Sequence, residues 1–226
     1  MKASEAQRPG ALAAGLHALG LTLDEAAQRR LLDYLALLQR WNAAINLTAL
    51  RDPAQMLTRH LLDSLAVLRP LRRELAARGC ESAARILDVG SGAGLPGVVL
   101  AIAEPRWQVV CVDAAAKKTA FVTQAAATLA LPNLRAVHAR VQELDGPFDV
   151  VTARAFATLA DFVTWSRPAL APEGVWMAMK GRVPHDEIAA LPSWAEAFHV
   201  EPLTVPGLNA ERCLVWLRRR GDDKTP

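Results

Sequence analysis

No apolar run in this sequence approaches the roughly 18 residues that span a bilayer. The longest candidates, residues 95–103 and 109–116, are bounded or interrupted by a charge. The amino terminus also lacks the basic-then-apolar layout of a secretory signal. Cysteine is scarce: Cys80, Cys111 and Cys213 are odd in number and widely spaced, which fits neither a disulfide framework nor a CxxC metal site. They read as reduced thiols, two of them in apolar runs, of a protein expected in the cytoplasm. An excess of one charge is missing too. Twenty-six basic against 23 acidic residues leave a net charge of +3, far from the basic surplus of a dedicated nucleic-acid binder. An anionic partner is permitted but not demanded.

Chemistry-bearing patterns are absent in a way that narrows the reaction. There is no HExxH and no cluster of Cys and His, so no metal is expected. No Pro-Cys offers the thiolate that carbon-5 pyrimidine methylation needs. None of the five histidines sits in a Ser/His/Asp-like pattern. His60 draws most interest among them, although an ordinary helical histidine remains the plainer reading. The six tryptophans are scattered and read as core or amphipathic anchors rather than stacking platforms.

What is present falls into two parts. Residues 1–83 read as a helical extension packed on residues 84–220, with frayed ends at 1–10 and 221–226. Thr22 and Glu25 have capping-box spacing, and Leu31, Leu35, Leu38, Trp41 and Ile45 follow on one helical face. Asp52-Pro53 opens a second helix, lined by Met56, Leu57, Leu61, Leu65 and Leu68 and expected to stop before Pro70. After residue 84 the period changes. Short runs rich in β-branched and aromatic residues at 85–89, 107–112, 134–137, 148–152 and 175–179 alternate with helical stretches at 97–103, 114–129, 141–144 and 159–170. This predicts an α/β fold: a Rossmann-like, mostly parallel sheet covered on both faces. Runs near 198–203 and 213–217, joined by a short link, predict an antiparallel C-terminal hairpin at its edge.

The most informative segment runs from Ile86 to Gly97, Ile-Leu-Asp-Val-Gly-Ser-Gly-Ala-Gly-Leu-Pro-Gly. A buried strand passes into a glycine cluster and then into a helix, where backbone can approach a ligand closely and unpaired N–H groups face it. Gly92, Gly94 and Gly97 satisfy GxGxxG, but two residues separate the strand from that frame. Asp-x-Gly-x-Gly-x-Gly from Asp88 fits better and marks an S-adenosyl-L-methionine loop. There Asp88 would hold the ligand's ammonium group directly or through water, unless it merely caps the loop's N–H groups. Asp113, about twenty residues beyond Gly94 at the end of the second strand, suits an adenosine ribose, or caps the next helix. Arg140, Arg154 and Lys180 follow the third, fourth and fifth strands. Ligands of open α/β sheets bind at that edge, so these three are candidates for positioning a substrate or meeting phosphate. After the fourth strand stands Thr152-Ala153-Arg154-Ala155-Phe156, not the Asn-Pro-Pro-Tyr type tetrad that aligns an exocyclic amine.

Over most of its length the chain resembles the RsmG (GidB) family, bacterial 16S ribosomal RNA guanine-N7 methyltransferases. The resemblance rests on Arg40-Trp41-Asn42, Ile45-Asn46-Leu47-Thr48, Arg59-His60, Leu62-Asp63-Ser64, the loop ending Leu95-Pro96-Gly97, Ala139-Arg140-Val141, Ala153-Arg154-Ala155-Phe156-Ala157, Lys180-Gly181 and Glu211-Arg212. It implies a class I methyltransferase sheet and cofactor contacts at Gly90, Leu95, Val141, Gln142 and Arg154. Asp113 would hold the ribose, and Val141-Gln142 would flank the adenine, with Gln142 where an acid is common. The implied substrate is a guanine in the decoding region of small-subunit RNA. The chain is expected to act as a monomer without metal or membrane. Guanine N7 already presents a lone pair and carries no proton, so alignment replaces acid–base work. An NAD-dependent oxidoreductase using the Gly92–Gly97 frame, or a non-catalytic RNA-binding module, stand as alternatives.

Overall fold

The computed structural model describes residues 7–50 and 52–221. Helix α1 (Arg8–Ala18) opens with a proline in its first turn, where the missing N–H costs nothing. Part of the stretch expected to fray, Arg8 to Gly10, is therefore helical, while residues 1–6 and 222–226 lie outside the described residues. Helix α2 (Glu25–Ile45) buries Leu31, Leu35 and Leu38 on the predicted face, each burial contributing roughly 2 kcal/mol. Its cap is Asp24, whose carboxylate accepts from Ala27 N at 2.6 Å. The Thr22–Glu25 capping box does not form, because Asp24, next to the first turn, reaches the third N–H.

The second predicted helix is interrupted. Helix α3 starts as Pro53–Met56, widens into a π-helical turn at Leu57–Leu62 and ends as Asp63–Leu65. Pro70 does not end it. The proline lies in the first turn of a separate helix, α4 (Leu68–Ala77), among the N–H positions that lack an intrahelical acceptor anyway.

Seven strands follow: β1 (Arg85–Val89), β2 (Gln108–Asp113), β3 (Leu134–His138), β4 (Phe148–Arg154), β5 (Leu170–Lys180), β6 (Ala195–Pro202) and β7 (Cys213–Arg219). They form one sheet in the order β3-β2-β1-β4-β5-β7-β6, parallel from β3 to β5, with β7 antiparallel to both β5 and β6. The α/β prediction with an antiparallel terminal hairpin holds. Helices α5 (Gly97–Ala103), α6 (Ala116–Thr128) and α7 (Leu159–Ser166) cover it, and a short α8 (His185–Ala189) was not predicted. The stretch 159–170 does not stay helical. Arg167-Pro168 tightens it to a 3-10 turn, and β5 begins at Leu170 rather than at 175.

Alternation along the strands divides the core. Ile86, Val109, Val150, Met177 and Trp216 face one side, sharing a core with α1 to α6. Leu87, Val112, Val151, Trp176 and Leu217 face the other, against α7. The extension therefore packs on one face and brings α3 to the carboxyl ends of β4 and β5. No helix among the described residues is long and apolar enough to cross a membrane.

Candidate active site

Gly90, Gly92 and Gly94 have φ of 61°, 58° and 83°, the left-handed region where a side chain is strained, so the loop after β1 requires these glycines. Beneath it lies Asp88, wholly shut from solvent. Its Oδ2 accepts from Gly97 N at 2.8 Å, while Oδ1 is buried without a partner among the described residues. Burial pushes the carboxyl up to about pKa 7. Asp88 thus braces the entry to α5 from beneath the loop through Oδ2. From above, Tyr34 of α2 donates its hydroxyl to Ala93 O at 2.6 Å, so the extension clamps the loop.

Beside the loop a pocket of about 250 Å³ opens between β1, β2 and the turn after β3. Gly90, Asp113, Arg140, Val141, Gln142 and Phe156 line it. Asp113 Oδ2 accepts from Gly92 N and Oδ1 from Ala115 N, both at 2.9 Å, so the acid ties the glycine loop to the start of α6. Lys118 Nζ also approaches Oδ2 at 3.5 Å, so Oδ1 is the oxygen that keeps a second lone pair for a hydroxyl. Phe156 lies over Gly90, where a Cβ would strike its ring at 2.5 Å. Trp165, edge-on to Phe156 at 5.9 Å, completes the rim. This tryptophan is exposed at a pocket, contrary to the expectation that all six are anchors. Leu95 and Gly94 do not line the pocket. Leu95 is buried in the core and Gly94 packs against Val98 and Val122.

A second cleft, of about 440 Å³, lies next to the first, walled by Arg59, His60, Asp63, Arg154, Lys180 and Arg212. Arg154 donates to Asp63 Oδ2 and to Arg59 O, both at 3.1 Å, and Arg212 Nε donates to Asp63 Oδ1 at 2.9 Å. Lys180 pairs with Glu187 at 2.8 Å. The three predicted cations therefore separate: Arg154 and Lys180 share this cleft, whereas Arg140 belongs to the glycine-loop pocket. Arg154 lines the cleft and not that pocket. Asp63, Arg59, Arg212 and Phe156 were not foreseen as site residues. The one local signal was an acid, Asp63, inside the apolar run 61–65. His60 sits in the π-helical turn, a feature often found at functional sites. Its Nε2 is 3.3 Å from Thr48 Oγ1, and burial, aided by Arg154, holds its pKa down to about 4.

His60 and Asp88 load stability with opposite signs. Below pH 6.5 the unfolded histidine takes up a proton that folded His60 accepts only near pH 4, so stability is lost as pH falls. From pH 3.8 to about 7, folded Asp88 keeps a proton that the unfolded chain has released, so stability is lost as pH rises. Each slope approaches a tenfold change in the folding equilibrium per pH unit, and the two offset one another. Asp88→Asn is expected to make stability climb from pH 4.5 to 6.5 more steeply than in the parent chain. His60→Gln should make it climb less or decline. Urea titrations across that window check both, and three parallel curves would contradict the assignment.

Comparison with known proteins agrees with this architecture. The model of the family described as rRNA small subunit methyltransferase G matches residues 27–215. The protein of that name from Acidovorax sp. (strain JS42) is 66% identical over 212 residues, covering 92% of this chain and 94% of its own. The one from Polaromonas naphthalenivorans (strain CJ2) is 56% identical over 96% of this chain and 99% of its own. Among solved structures, TrmN from Thermus thermophilus superposes with a TM-score of 0.55 at 20% identity, over 73% of this chain and 53% of its own. The putative methyltransferase yhhF from Escherichia coli gives 0.52 at 16%, over 69% and 87%. These two likenesses establish the fold alone. With the family match spanning both the helical extension and the sheet, the chain belongs to the rRNA small subunit methyltransferase G family.

Proposed function

We propose that this chain transfers a methyl group from S-adenosyl-L-methionine to N7 of a guanine in small-subunit (16S) ribosomal RNA. The observation that carries the reading is the pairing of two neighbouring sites at the carboxyl edge of β1 to β5: a glycine-cradled pocket with Asp113 at its wall, and a cleft of four cations. The pocket suits an adenosyl group. Its loop turns on left-handed glycines, Asp113 presents a carboxylate to the ribose, and Val141, Gln142 and Phe156 supply a wall for a flat base. Asp88 and Tyr34 hold that loop still.

When bound, S-adenosyl-L-methionine supplies an electrophilic methyl group. The protein's own residues bind and orient. Arg59, Arg154, Lys180 and Arg212 would hold RNA phosphates next to the pocket. Of the other polar groups in the cleft, His60 is buried and poorly basic and Asp63 is engaged by two arginines. That set suits a nucleophile competent as supplied, and guanine N7 carries no proton to remove. Rate enhancement would then come from alignment and electrostatics.

The test combines the purified protein, labelled S-adenosyl-L-methionine and unmodified small-subunit RNA. A single guanine is expected to be labelled. Borohydride followed by aniline should cleave the RNA there, because N7 methylation leaves the ring cationic and prone to opening. Label on an exocyclic amine, a ribose hydroxyl or protein would reject the N7 assignment. Tight adenosylhomocysteine binding with no transfer would favour a non-catalytic RNA-binding module.

A further inference from the structure

Two arginines from distant parts of the chain meet on one buried acid. Asp63 lies in the last turn of helix α3 with its side chain 4% exposed, Arg154 ends β4, and Arg212 precedes β7, respectively 91 and 149 residues away. Each carboxylate oxygen takes one guanidinium: Oδ2 receives Arg154 Nη1 and Oδ1 receives Arg212 Nε. Backbone carbonyls fix both arginines further, Arg59 O for Arg154 and Glu211 O for Arg212. The other donors, Nε and Nη2 of Arg154 and Nη2 of Arg212, have no protein partner among the described residues, and both side chains line the 440 Å³ cleft.

An ion triad this buried is a poor device for stability, since desolvating the charges cancels much of their attraction. It is a good device for orientation. Two free guanidiniums would repel and turn independently, whereas a shared carboxylate holds them at a set separation. We propose that Asp63 is a positioning residue that holds Arg154 and Arg212 as a paired clamp for one phosphate of the RNA strand at the reaction cleft. This rests on the RNA reading above. Guanidiniums match a phosphate through parallel donors. A phosphate in the clamp also brings two guanidiniums, one carboxylate and one phosphate close to neutrality. A purine ring seated directly on the arginines would instead gain positive charge at N7 beside two cations.

The proposal opposes simple Coulomb expectation, which makes it testable. Asp63→Asn removes a negative charge from a cleft that meets a polyanion, so charge alone predicts tighter RNA binding. Loss of positioning predicts weaker binding, by about tenfold. Filter binding of unmodified small-subunit RNA should be measured over a range of salt for the parent chain, Asp63→Asn, Arg212→Ala and the double variant. Arg212→Ala is expected to weaken binding and flatten the salt dependence by about one phosphate contact, a change in slope of roughly 0.7 to 0.9. The double variant should bind little worse than either single one, because both remove the same clamp. Arg212→Lys, which keeps the charge and loses the fork, should resemble Arg212→Ala in affinity. Adenosylhomocysteine binding by calorimetry should stay within about twofold of the parent in Asp63→Asn, separating a lost clamp from a lost fold. If Asp63→Asn does not fold, an Arg212→Lys variant that folds and binds RNA as the parent does overturns the proposal, and one that binds weakly sustains it. Unchanged or tighter RNA binding by folded Asp63→Asn, or fully additive losses, would overturn it and leave the functional reading intact. A parent chain that binds no small-subunit RNA would overturn both.

Discussion

Asp113→Ala is expected to weaken adenosylhomocysteine binding about 10- to 150-fold, the equivalent of roughly 1.5–3 kcal/mol for hydrogen bonds to a charged group. The carboxylate is 7% exposed at the wall of the glycine-loop pocket, and the hydroxyls of a ribose are the acceptor-seeking groups that an adenosyl ligand brings there. The substitution does more than remove a ligand contact. Asp113 also accepts from Gly92 N and Ala115 N, so alanine strands two backbone donors and loosens the cradle. Some loss of stability, about 1–3 kcal/mol, should accompany the loss of affinity. Titration calorimetry well below the variant's own melting midpoint separates the two effects. Affinity equal to that of the parent would remove Asp113 from the ribose assignment and leave it as a loop brace only.

The second large effect is on folding. A methyl group at Gly97 would lie 2.8 Å from Asp88 Oδ2 and closer still to Cys111 Sγ, and both side chains are wholly buried. Neither can swing into free space, so Gly97→Ala must displace α5 from the sheet or break the bond from Gly97 N to Asp88. Overpacking of this kind costs on the order of 3 kcal/mol, which lowers the melting midpoint of a chain this long by roughly 6–12 °C. Gly10→Ala provides the contrast, since nothing lies within 4 Å of a Cβ there and the residue is helical. That change should leave the midpoint unchanged or raise it. Cys111→Ala combined with Gly97→Ala should recover part of the loss. A Gly97→Ala chain that melts with the parent would mean the strand–loop–helix junction is less tightly packed than described.

Much of this protein was legible in its sequence, and for local reasons. Apolar spacing marked α2, and the change from helical to alternating period marked where the sheet begins. Seven strand signals matched the seven strands of the described residues, most plainly β1, β2, β4, β5 and β7, whose largely buried sequences are written in β-branched and apolar residues. The glycines at 90, 92 and 94 were legible because left-handed backbone favours glycine over residues that carry a Cβ. Boundaries were less so. Thr22 lost the cap to Asp24, and Pro70 proved to start a helix rather than end one. In both cases the same short-range pattern is compatible with two registers, and packing chose between them.

The site divides along the same line. Sequence alone determined that a glycine loop follows the first strand, that an acid closes the second, and that cations stand after the third, fourth and fifth. Each of these is set by position along one βα unit. Only the tertiary structure decided that Asp88 lies under the loop rather than in the pocket, because its depth depends on α5 packing over β1. It also decided that Arg140 faces one site while Arg154 and Lys180 face another, and that Asp63, 149 residues from Arg212, ties the two arginines together. No spacing in the chain encodes such a meeting. It arises when the helical extension buries its apolar stripe on the sheet and so carries one charged turn of α3 to the strand ends.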